Sequence, residues 1–549
     1  MQTEYEPQDT PRAANGRAPD VFEPGGWVPM RDYAEDEVDF VIVGTGAGGG
    51  TLACKLAEAG FSVIAMDAGA YWRPLEDFAS DERHQRKLYW TDERIVDGND
   101  PLSMGSNNSG KAVGGSTVHF AMVSLRFRPE WFKSRSTLGY GVDWPLDWRE
   151  MWDYYREAEQ ALSIAGPVTY PWGPKRPRYP YRAHPLNAAA DYLAQGCEAL
   201  GMDWTETPLA TLSAPKGRAH PCVYRGFCVT GCSTNAKQSV LTTWLPRAIA
   251  AGAEIRDLAM VGRIDTRDGK ATGVHYHRQG AWHFQKARNV VVAGYAIETP
   301  RLLLNSANAE FPDGLANSSG LVGKNLMVQL NQAAWGQVDD DVRSYKGPPS
   351  LAITEHWNYH DEGKDYHGGW CYMSQGPLPA SWARSLATGR GLWGQALADE
   401  MERANHSLGL KMVGEVLPYE NNRVTLEAGE TDQYGLPIPR ITYSHGENEK
   451  RMINHAVQVM DDALSAVGAR ERWREMDDTC HLNGTARMGS NPSDSVVNAD
   501  CRSWDIPNLW ICDGSVFPTV GGVNPSLTIQ AIACRTGDRI AELARLGEL

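Results

Sequence analysis

The chain has 549 residues, of which 42% are hydrophobic and 22% charged, a composition typical of globular proteins. Its net charge of −15, without any Lys/Arg-rich run, argues against nucleic acid and anionic membrane surfaces as partners. No run of about eighteen apolar residues occurs, so no membrane-spanning helix is expected. A chain of this length is expected to form two domains.

Residues 1–35 are polar and rich in Pro, Gly, Asp and Glu. They lack the basic start and the apolar core of a signal peptide, so we expect a flexible arm or a strap over the surface. Export would then require a partner that carries the signal. The sequence leaves a periplasmic and a cytoplasmic location both open.

A βαβ unit is predicted next. The apolar run 39–44 indicates a buried strand, residues 46–60 carry helical periodicity, and residues 61–66 indicate a second buried strand. The N-terminus of such a helix supplies amides and the positive end of a dipole, which together attract phosphate groups.

The turn of this unit matches G-x-G-x-x-G at Gly44, Gly46 and Gly49. The first glycine permits the tight turn, the second lets the backbone approach a pyrophosphate, and the third lets the helix pack on the strand. Asp67 ends the second strand and is expected to accept hydrogen bonds from ribose hydroxyls. The spacing predicts a dinucleotide site but does not distinguish FAD from NAD.

Three of the ten cysteines lie close together, with the spacing C-x5-C-x3-C at Cys222, Cys228 and Cys232. Three thiolates on one glycine-containing loop can ligate an iron-sulfur cluster. A disulfide with one free thiol, three free thiols, or a zinc site with one further ligand are the alternatives. Most of the other cysteines stand alone in apolar contexts and are expected to be buried free thiols.

The region from about 331 to 445 consists of short alternating runs separated by turn residues, which predicts a largely antiparallel sheet. Long helical patterns occur at 182–203 and 447–470. In the sheet, Trp370, Tyr372 and Met373 could line a substrate pocket or pack inside the sheet. The alternating runs are 333–338, 350–354, 368–373, 408–416 and 438–443.

Two segments near the C-terminus, 480–489 and 512–528, are dense in glycine, proline and small polar residues. Such segments let backbone approach a flat ligand and hold a base still. They carry His481 and Asn524. A neutral imidazole can take a hydroxyl proton near neutral pH, whereas an amide can only orient and stabilise a developing alkoxide. The alternative for His481 is a histidine satisfied within the core.

Together these segments resemble the glucose-methanol-choline (GMC) oxidoreductase family. Residues 110–119, Gly-Lys-Ala-Val-Gly-Gly-Ser-Thr-Val-His, resemble its first signature, and residues 294–307 resemble its second, with Ala307 in place of glycine. In some relatives the histidine at the position of His119 is covalently linked to the flavin; otherwise it packs near the flavin edge. The resemblance implies FAD as the cofactor, bound by Gly114, Gly115, Ser116, His119, Asp513, Gly514, Gly522, Asn524 and Pro525.

The resemblance also makes His481 and Asn524 the catalytic pair. The family motif His-Pro-x-Gly-Thr-Cys reads His-Leu-Asn-Gly-Thr-Ala from His481 onward, so its proline and cysteine are replaced. The implied reaction oxidises a CH–OH group to a carbonyl, with His481 as the base and hydride transfer to flavin N5.

Within the family, the cysteine loop resembles the flavoprotein large subunits of bacterial gluconate, fructose, glucose and glucoside dehydrogenases. Those proteins hold a three-iron, four-sulfur cluster and pair with a small subunit bearing the export signal and with a c-type cytochrome. Val223 and Ser233 depart from their pattern. A sugar, glycoside or polyol substrate is implied, and a long-chain, cyclic or steroid alcohol is the alternative. A pyranose-oxidase-like or C-glycoside-oxidase-like enzyme that makes hydrogen peroxide is the second hypothesis, and a flavin-binding protein without alcohol chemistry is the third.

The expected fold is α/β. A Rossmann-type FAD-binding domain, of the type shared by GMC enzymes and p-hydroxybenzoate hydroxylase, would carry an inserted α+β substrate domain on a mostly antiparallel sheet. The FAD-binding domain is expected to be discontinuous, with residues 36–165, 215–330 and 475–549. The substrate domain is expected to comprise residues 166–214 and 331–474.

Overall fold

The computed structural model describes residues 21–23, 26–28, 30–376, 378–476 and 479–549. Most of the predicted N-terminal arm lies outside the described residues. Within its described part, residues 21–23 and 26–28 pair as antiparallel strands. Tyr33 is buried, and its hydroxyl donates to the carbonyl of Gly252. The end of the arm therefore packs on the body of the protein.

The strands are numbered in chain order. They are β1 Val21–Glu23, β2 Gly26–Val28, β3 Val38–Val43, β4 Val63–Met66, β5 Ile95–Asp97, β6 Ala165–Gly166, β7 Tyr181–Arg182, β8 Thr205–Glu206, β9 Glu254–Arg256, β10 Met260–Arg267, β11 Lys270–Arg278, β12 Ala281–Val292, β13 Met327–Val328, β14 Gln332–Gln337, β15 Ala352–Thr354, β16 Trp370–Gln375, β17 Ser407–Gly414, β18 Arg423–Thr431, β19 Pro437–Thr442, β20 Arg470–Met476, β21 Leu482–Asn483 and β22 Leu509–Ile511.

The helices are numbered in the same way. They are α1 Gly49–Glu58, α2 Pro74–Asp77, α3 Trp148–Ala161, α4 Ala188–Ala199, α5 Trp244–Ala250, α6 Tyr295–Asn305, α7 His356–Tyr359, α8 Pro379–Gly389, α9 Gly394–Glu402, α10 Glu447–Ala466 and α11 Ser526–Leu546. Short 3-10 turns lie at Glu82–Leu88, Gly115–Val118, Pro129–Phe132, Cys228–Thr230, Val240–Thr242, Ala404–His406 and Gly514–Val516, and a π turn lies at Ser134–Leu138.

The first sheet has the order β10-β11-β12-β3-β4-β9, with β22 also paired to β12. The pairs β12–β3, β3–β4, β4–β9 and β12–β22 are parallel, and β10, β11 and β12 form an antiparallel extension. The central parallel strands β3, β4 and β22 are mostly apolar and buried, as expected for strands covered by helices, and α1 packs against both α5 and α11. This arrangement contains the predicted βαβ unit as β3-α1-β4.

The second sheet has the order β20-β14-β17-β16-β15-β8, and all of its neighbouring strands are antiparallel. Helices α4 and α10 pack on it. Four of the five predicted alternating runs are strands of this sheet. The predicted helix 447–470 ends at Ala466, and residues 470–476 instead form the edge strand β20.

The fifth predicted run, at 438–443, lies elsewhere. It forms β19, which pairs antiparallel with β18 and parallel with β5, and α6 packs on both β18 and β19. This small sheet joins residues 423–442 to elements that the sequence places in the FAD-binding domain. Hydrophobic alternation predicts a strand but not the sheet that it joins. No helix within the described ranges is long and apolar enough to cross a membrane.

Candidate active site

A cavity of about 330 Å³ lies between the two large sheets, next to the carboxyl ends of β3 and β4. One end is formed by the glycine-rich turn after β3, and the other by the segments that carry His481 and Asn524. Ligands of open α/β sheets bind at this edge of the strands. The lining residues among those singled out from the sequence are Gly44, Gly46, Asp67, Gly115, Ser116, His119, Met373, His481, Asp513, Gly514, Asn524 and Pro525.

The turn after β3 requires its glycines. Gly44 has φ +96°, and a Cβ there would lie 2.3 Å from the carbonyl oxygen of Ala293. A Cβ on Gly49 would lie 2.0 Å from the carbonyl oxygen of Gly44, so Gly49 packs behind the cavity and does not line it. Gly48, to which the sequence assigned no role, approaches more closely still, with its Cβ position 1.8 Å from the carbonyl oxygen of Cys512.

The second glycine-rich turn faces the first. Gly114 has φ +94°, and its amide donates to Thr45 Oγ1 over 3.0 Å. A Cβ on Gly115 would lie 2.7 Å from the Cα of Gly46. The Ser116 hydroxyl accepts from the amide of Gly110 over 2.9 Å, which closes the turn. The backbone of the two turns encloses a space that any side chain at these glycines would fill. This space fits a flat cofactor with a pyrophosphate.

Asp67 holds the first turn in place. One carboxylate oxygen accepts from the amide of Thr45 over 3.0 Å and from its hydroxyl over 2.6 Å, and the other accepts from the amide of Gly69 over 2.9 Å. Burial raises the pKa of Asp67 to about 6, although these hydrogen bonds oppose the shift. The expected contact of Asp67 with a ribose stays a prediction.

His119 is buried at the wall of the cavity. Its Nδ1 lies 2.5 Å from Asn107 Oδ1, and its Nε2 is buried without a partner among the described residues. Burial, with a smaller effect of the Lys237 ammonium group, lowers the pKa of His119 to about 3. The ring is therefore neutral at physiological pH, with Nδ1–H donating to Asn107 and a free lone pair on Nε2.

His481 and Asn524 meet at the far end of the cavity. His481 Nε2 lies 3.3 Å from Asn524 Nδ2, although 43 residues separate the two along the chain. Burial and the nearby Lys411 lower the pKa of His481 to about 3. The sequence predicts a base with a pKa near neutral pH; in the structure desolvation disfavours the imidazolium, so the ring is neutral throughout the physiological range.

Asp513 fixes the start of the last segment. One oxygen accepts from Thr299 Oγ1 over 2.6 Å and from the amide of Tyr295 over 2.7 Å, and the other accepts from the amide of Ser515 over 2.7 Å. The carboxylate thus ties the second signature segment to the cavity wall. Gly514 also lines the cavity, whereas Gly522 lies behind the wall, where a Cβ would come within 2.3 Å of Asn358 Oδ1.

The cavity lining near His481 includes Met373, a candidate from the sequence, and other residues that the sequence did not identify. β16 alternates its side chains, so Met373 and Gln375 line the cavity, while Trp370 and Tyr372 are fully buried on its other face. The hydroxyl of Tyr372 lies 3.2 Å from the thiol of Cys197 on α4. Other polar lining residues at this end are Asn331, Lys411 and Cys480.

The three-cysteine loop lies just outside the cavity. All ten cysteines are free thiols, so the disulfide alternative is wrong. Among the described residues, no three His, Cys, Asp or Glu side chains converge to hold a metal ion, and the structure supports neither the zinc alternative nor the predicted cluster. The Cys222, Cys228 and Cys232 thiols still interact electrostatically, and burial raises the pKa of Cys228 to about 12.

The cysteine loop contacts the cavity wall through Val229 and Lys237. Val229 lines the cavity. The buried Lys237 ammonium group donates to the carbonyl of Cys228 over 2.9 Å, and to those of Val118 and Phe120 over 2.8 Å each. Burial lowers the pKa of Lys237 to about 7. The loop is thereby tied to the segment that carries His119.

The chain belongs to the GMC oxidoreductase family. Sequence models of this family match residues 38–331 and residues 418–533. The protein is therefore an FAD-dependent oxidoreductase that acts on CH–OH groups, and the predicted family, fold class and FAD cofactor are confirmed.

Relatives with known activities cover nearly the whole chain. It is 34% identical over 537 residues to 2-methyl-1,2-propanediol dehydrogenase of Mycolicibacterium austroafricanum, covering 92% of this chain and 95% of that protein. It is 29% identical over 534 residues to the fructose dehydrogenase large subunit of Gluconobacter japonicus, covering 91% and 97%. Formate oxidase of Aspergillus oryzae shares the fold, with a TM-score of 0.66 at 15% identity over 94% of this chain and all of that one.

Proposed function

We propose that this protein oxidises a hydroxyl group of a sugar, glycoside or polyol to a carbonyl, with His481 as the base and Asn524 as its partner. The observation that carries this proposal is the 3.3 Å approach of His481 Nε2 and Asn524 Nδ2 at one end of the cavity. Asn331, Gln375 and Lys411 line the same end and offer partners to further hydroxyl groups. The similarity to a diol dehydrogenase and to a fructose dehydrogenase subunit supports this substrate class.

The geometry assigns distinct roles to the two side chains. The neutral His481 ring presents a lone pair at Nε2 and can take the hydroxyl proton of the substrate. The Asn524 Nδ2 lies beside His481 Nε2, so the amide can donate a hydrogen bond to the same substrate oxygen. This donation can stabilise the negative charge that develops on that oxygen. When bound, FAD supplies the two-electron acceptor for the hydride that leaves the carbon. Asn524 is buried and His481 is partly buried, which limits the access of bulk water to the reacting atoms.

Replacement of His481 tests this assignment. His481→Ala is expected to retain its flavin and to lose roughly a hundredfold to ten-thousandfold in kcat/KM, the range for a lost general base. His283→Ala removes an exposed histidine on β12 and serves as the matched control. Turnover by His481→Ala equal to that of the control, on a panel of sugars, diols and long-chain alcohols, would refute the role of the base.

We also propose that FAD is linked covalently through His119 Nε2. Asn107 holds the opposite ring nitrogen, and Nε2 is left without a partner among the described residues. After acid precipitation the flavin is expected to stay with the wild-type protein and to leave His119→Ala. Asn107→Ala should reduce the linked fraction, because the ring then loses its anchor. Release of all flavin from the wild type would show that His119 only packs beside the cofactor.

We propose, third, that Cys222, Cys228 and Cys232 hold an iron-sulfur cluster, which would pass electrons to a cytochrome-type acceptor, with a small subunit as partner. The cysteine spacing and the similarity to a dehydrogenase large subunit support this, although the three thiols do not converge in the structure without the cluster. About three irons per flavin, measured with acid-labile sulfide on anaerobically purified protein, are expected. Iron near zero would leave the oxidase alternative, tested by oxygen consumption and hydrogen peroxide.

Co-export with the partner would place the protein in the periplasm, and cell fractionation would otherwise find it in the cytoplasm.

A further inference from the structure

The turn formed by residues 521–523 carries Asn524 and is held from outside by two side-chain amides. Gln329 Nε2 donates to the carbonyl of Gly521 and, over 2.9 Å, to the carbonyl of Val523. Asn358 Nδ2 donates to the carbonyl of Gly522 over 3.1 Å. All three carbonyls of the turn are therefore bound, and both hydrogens of the Gln329 amide are used.

The turn also has no room to shift. A Cβ on Gly521 would lie 2.4 Å from Trp131, and one on Gly522 would lie 2.3 Å from Asn358 Oδ1 and 2.5 Å from the carbonyl oxygen of Gly369. Both Gln329 and Asn358 are buried, so water does not compete for these hydrogen bonds. The turn is therefore held both by close packing and by hydrogen bonds from these two buried amides.

The orientation of Asn358 is itself fixed. The second hydrogen on its Nδ2 is donated to Glu355 Oε2 over 3.0 Å, and the Tyr170 hydroxyl donates to Glu355 Oε1. Arg128 Nη1 donates to the backbone carbonyl of Asn358. A flipped amide would place Oδ1 against two acceptors, the Gly522 carbonyl and the Glu355 carboxyl group, so this network selects one orientation.

We propose that Gln329 and Asn358 are positioning residues for alcohol oxidation: they hold the carbonyls of residues 521–523 and so fix Asn524 Nδ2 beside His481 Nε2. This inference rests on the proposed function. Neither amide lines the cavity, so neither touches substrate or cofactor. An error of about 1 Å in the position of a catalytic group costs on the order of a hundredfold in rate, which makes such support visible in kinetics.

The test is a double-mutant cycle between Asn358→Ala and Asn524→Ala, measured on the flavin-loaded enzyme. Asn358→Ala is expected to lower kcat about tenfold to a hundredfold, with KM nearly unchanged, because the misplaced donor acts in the transition state. In the Asn524→Ala background the same change should have almost no further effect, because the donor is already absent. Gln329→Met, which removes both hydrogens at nearly constant volume, should behave in the same way and replaces Asn358→Ala if that variant does not fold.

The matched control is Asn289→Ala. Asn289 is also a buried asparagine whose amide donates to a backbone carbonyl, that of Asp39 over 3.2 Å, but it lies in the first sheet away from the cavity. A loss of kcat that is equal in both backgrounds, or no larger than that of the control, overturns the positioning role. Normal turnover by His481→Ala would instead overturn the proposed function, so the two failures are distinguishable.

Discussion

Glu415 provides a quantitative test of how this fold holds acids in its interior. The side chain is buried, and its Oε2 accepts from the amide of Gly369 over 3.1 Å and from the Tyr140 hydroxyl over 3.2 Å. Burial raises its pKa from 4.5 to about 8, against the opposing effects of these hydrogen bonds and of Arg128 and Lys364. The folded protein therefore keeps the proton, while the unfolded chain releases it above a pH of about 4.5.

The sign follows from this difference in proton binding. Stability falls as pH rises from about 4.5 to about 8, by about 1.4 kcal/mol per pH unit and at most about 5 kcal/mol in all. Glu415→Gln is neutral at every pH and keeps an oxygen acceptor, so it should gain stability relative to wild type across this window. For a chain of this size about 5 kcal/mol corresponds to roughly 4 °C in Tm.

The assay is the melting temperature of both proteins at several pH values between 5 and 8.5. Glu355, whose pKa burial raises to about 7, contributes in the same direction but is present in both proteins. The difference between the two curves therefore isolates Glu415, apart from an offset that does not depend on pH. Curves that run parallel through the whole range would refute the reasoning.

Three further predictions concern the cofactor, the buried Lys237 and the neutral His481. Gly44→Ala should be purified without flavin, because its Cβ would lie 2.3 Å from the Ala293 carbonyl oxygen. Gly60→Ala is the control: its φ is similar, +93°, but its Cβ would lie in open space, so it should keep the flavin. Absorbance at the flavin band distinguishes the two variants. Lys237→Met leaves one buried and two partly buried carbonyls without their donor and should cost about 3 kcal/mol, measured by urea unfolding. Acid should destabilise the wild type as pH falls from about 6.5 towards 3, because His481 is held neutral in the fold, and His481→Gln should flatten that limb of the pH profile.

The parts of the site that short-range spacing determines could be read from the sequence. Gly44, Gly49 and Asp67 follow from the geometry of one βαβ unit, since each lies at a defined position on a strand, a turn or a helix start. The family motif identified His481 and Asn524, and the structure brings these two together.

The features of the site that the sequence does not predict depend on contacts between distant segments. Gln329 and Asn358 lie 192 and 164 residues from their partners Gly521 and Gly522, and buried amides carry no sequence signal of their own. The low pKa of His481 arises from burial and from Lys411, which no local pattern encodes. The three-cysteine spacing predicted shared ligands, but spacing along a loop does not specify where the thiols point.

The position of β22 in the first sheet has a consequence for how the protein is made. β12 lies between β3 and β22. Residues 290–292 of β12 therefore gain their second neighbouring strand only when residues 509–511 emerge from the ribosome. Until then the nascent chain exposes an apolar, unpaired strand edge, which is an aggregation hazard. The cavity wall at His481, Asp513 and Asn524 is likewise absent until late in synthesis. The complete cavity therefore forms only after residue 524 has been synthesised, and co-expression with a chaperone is expected to raise the yield of holoenzyme.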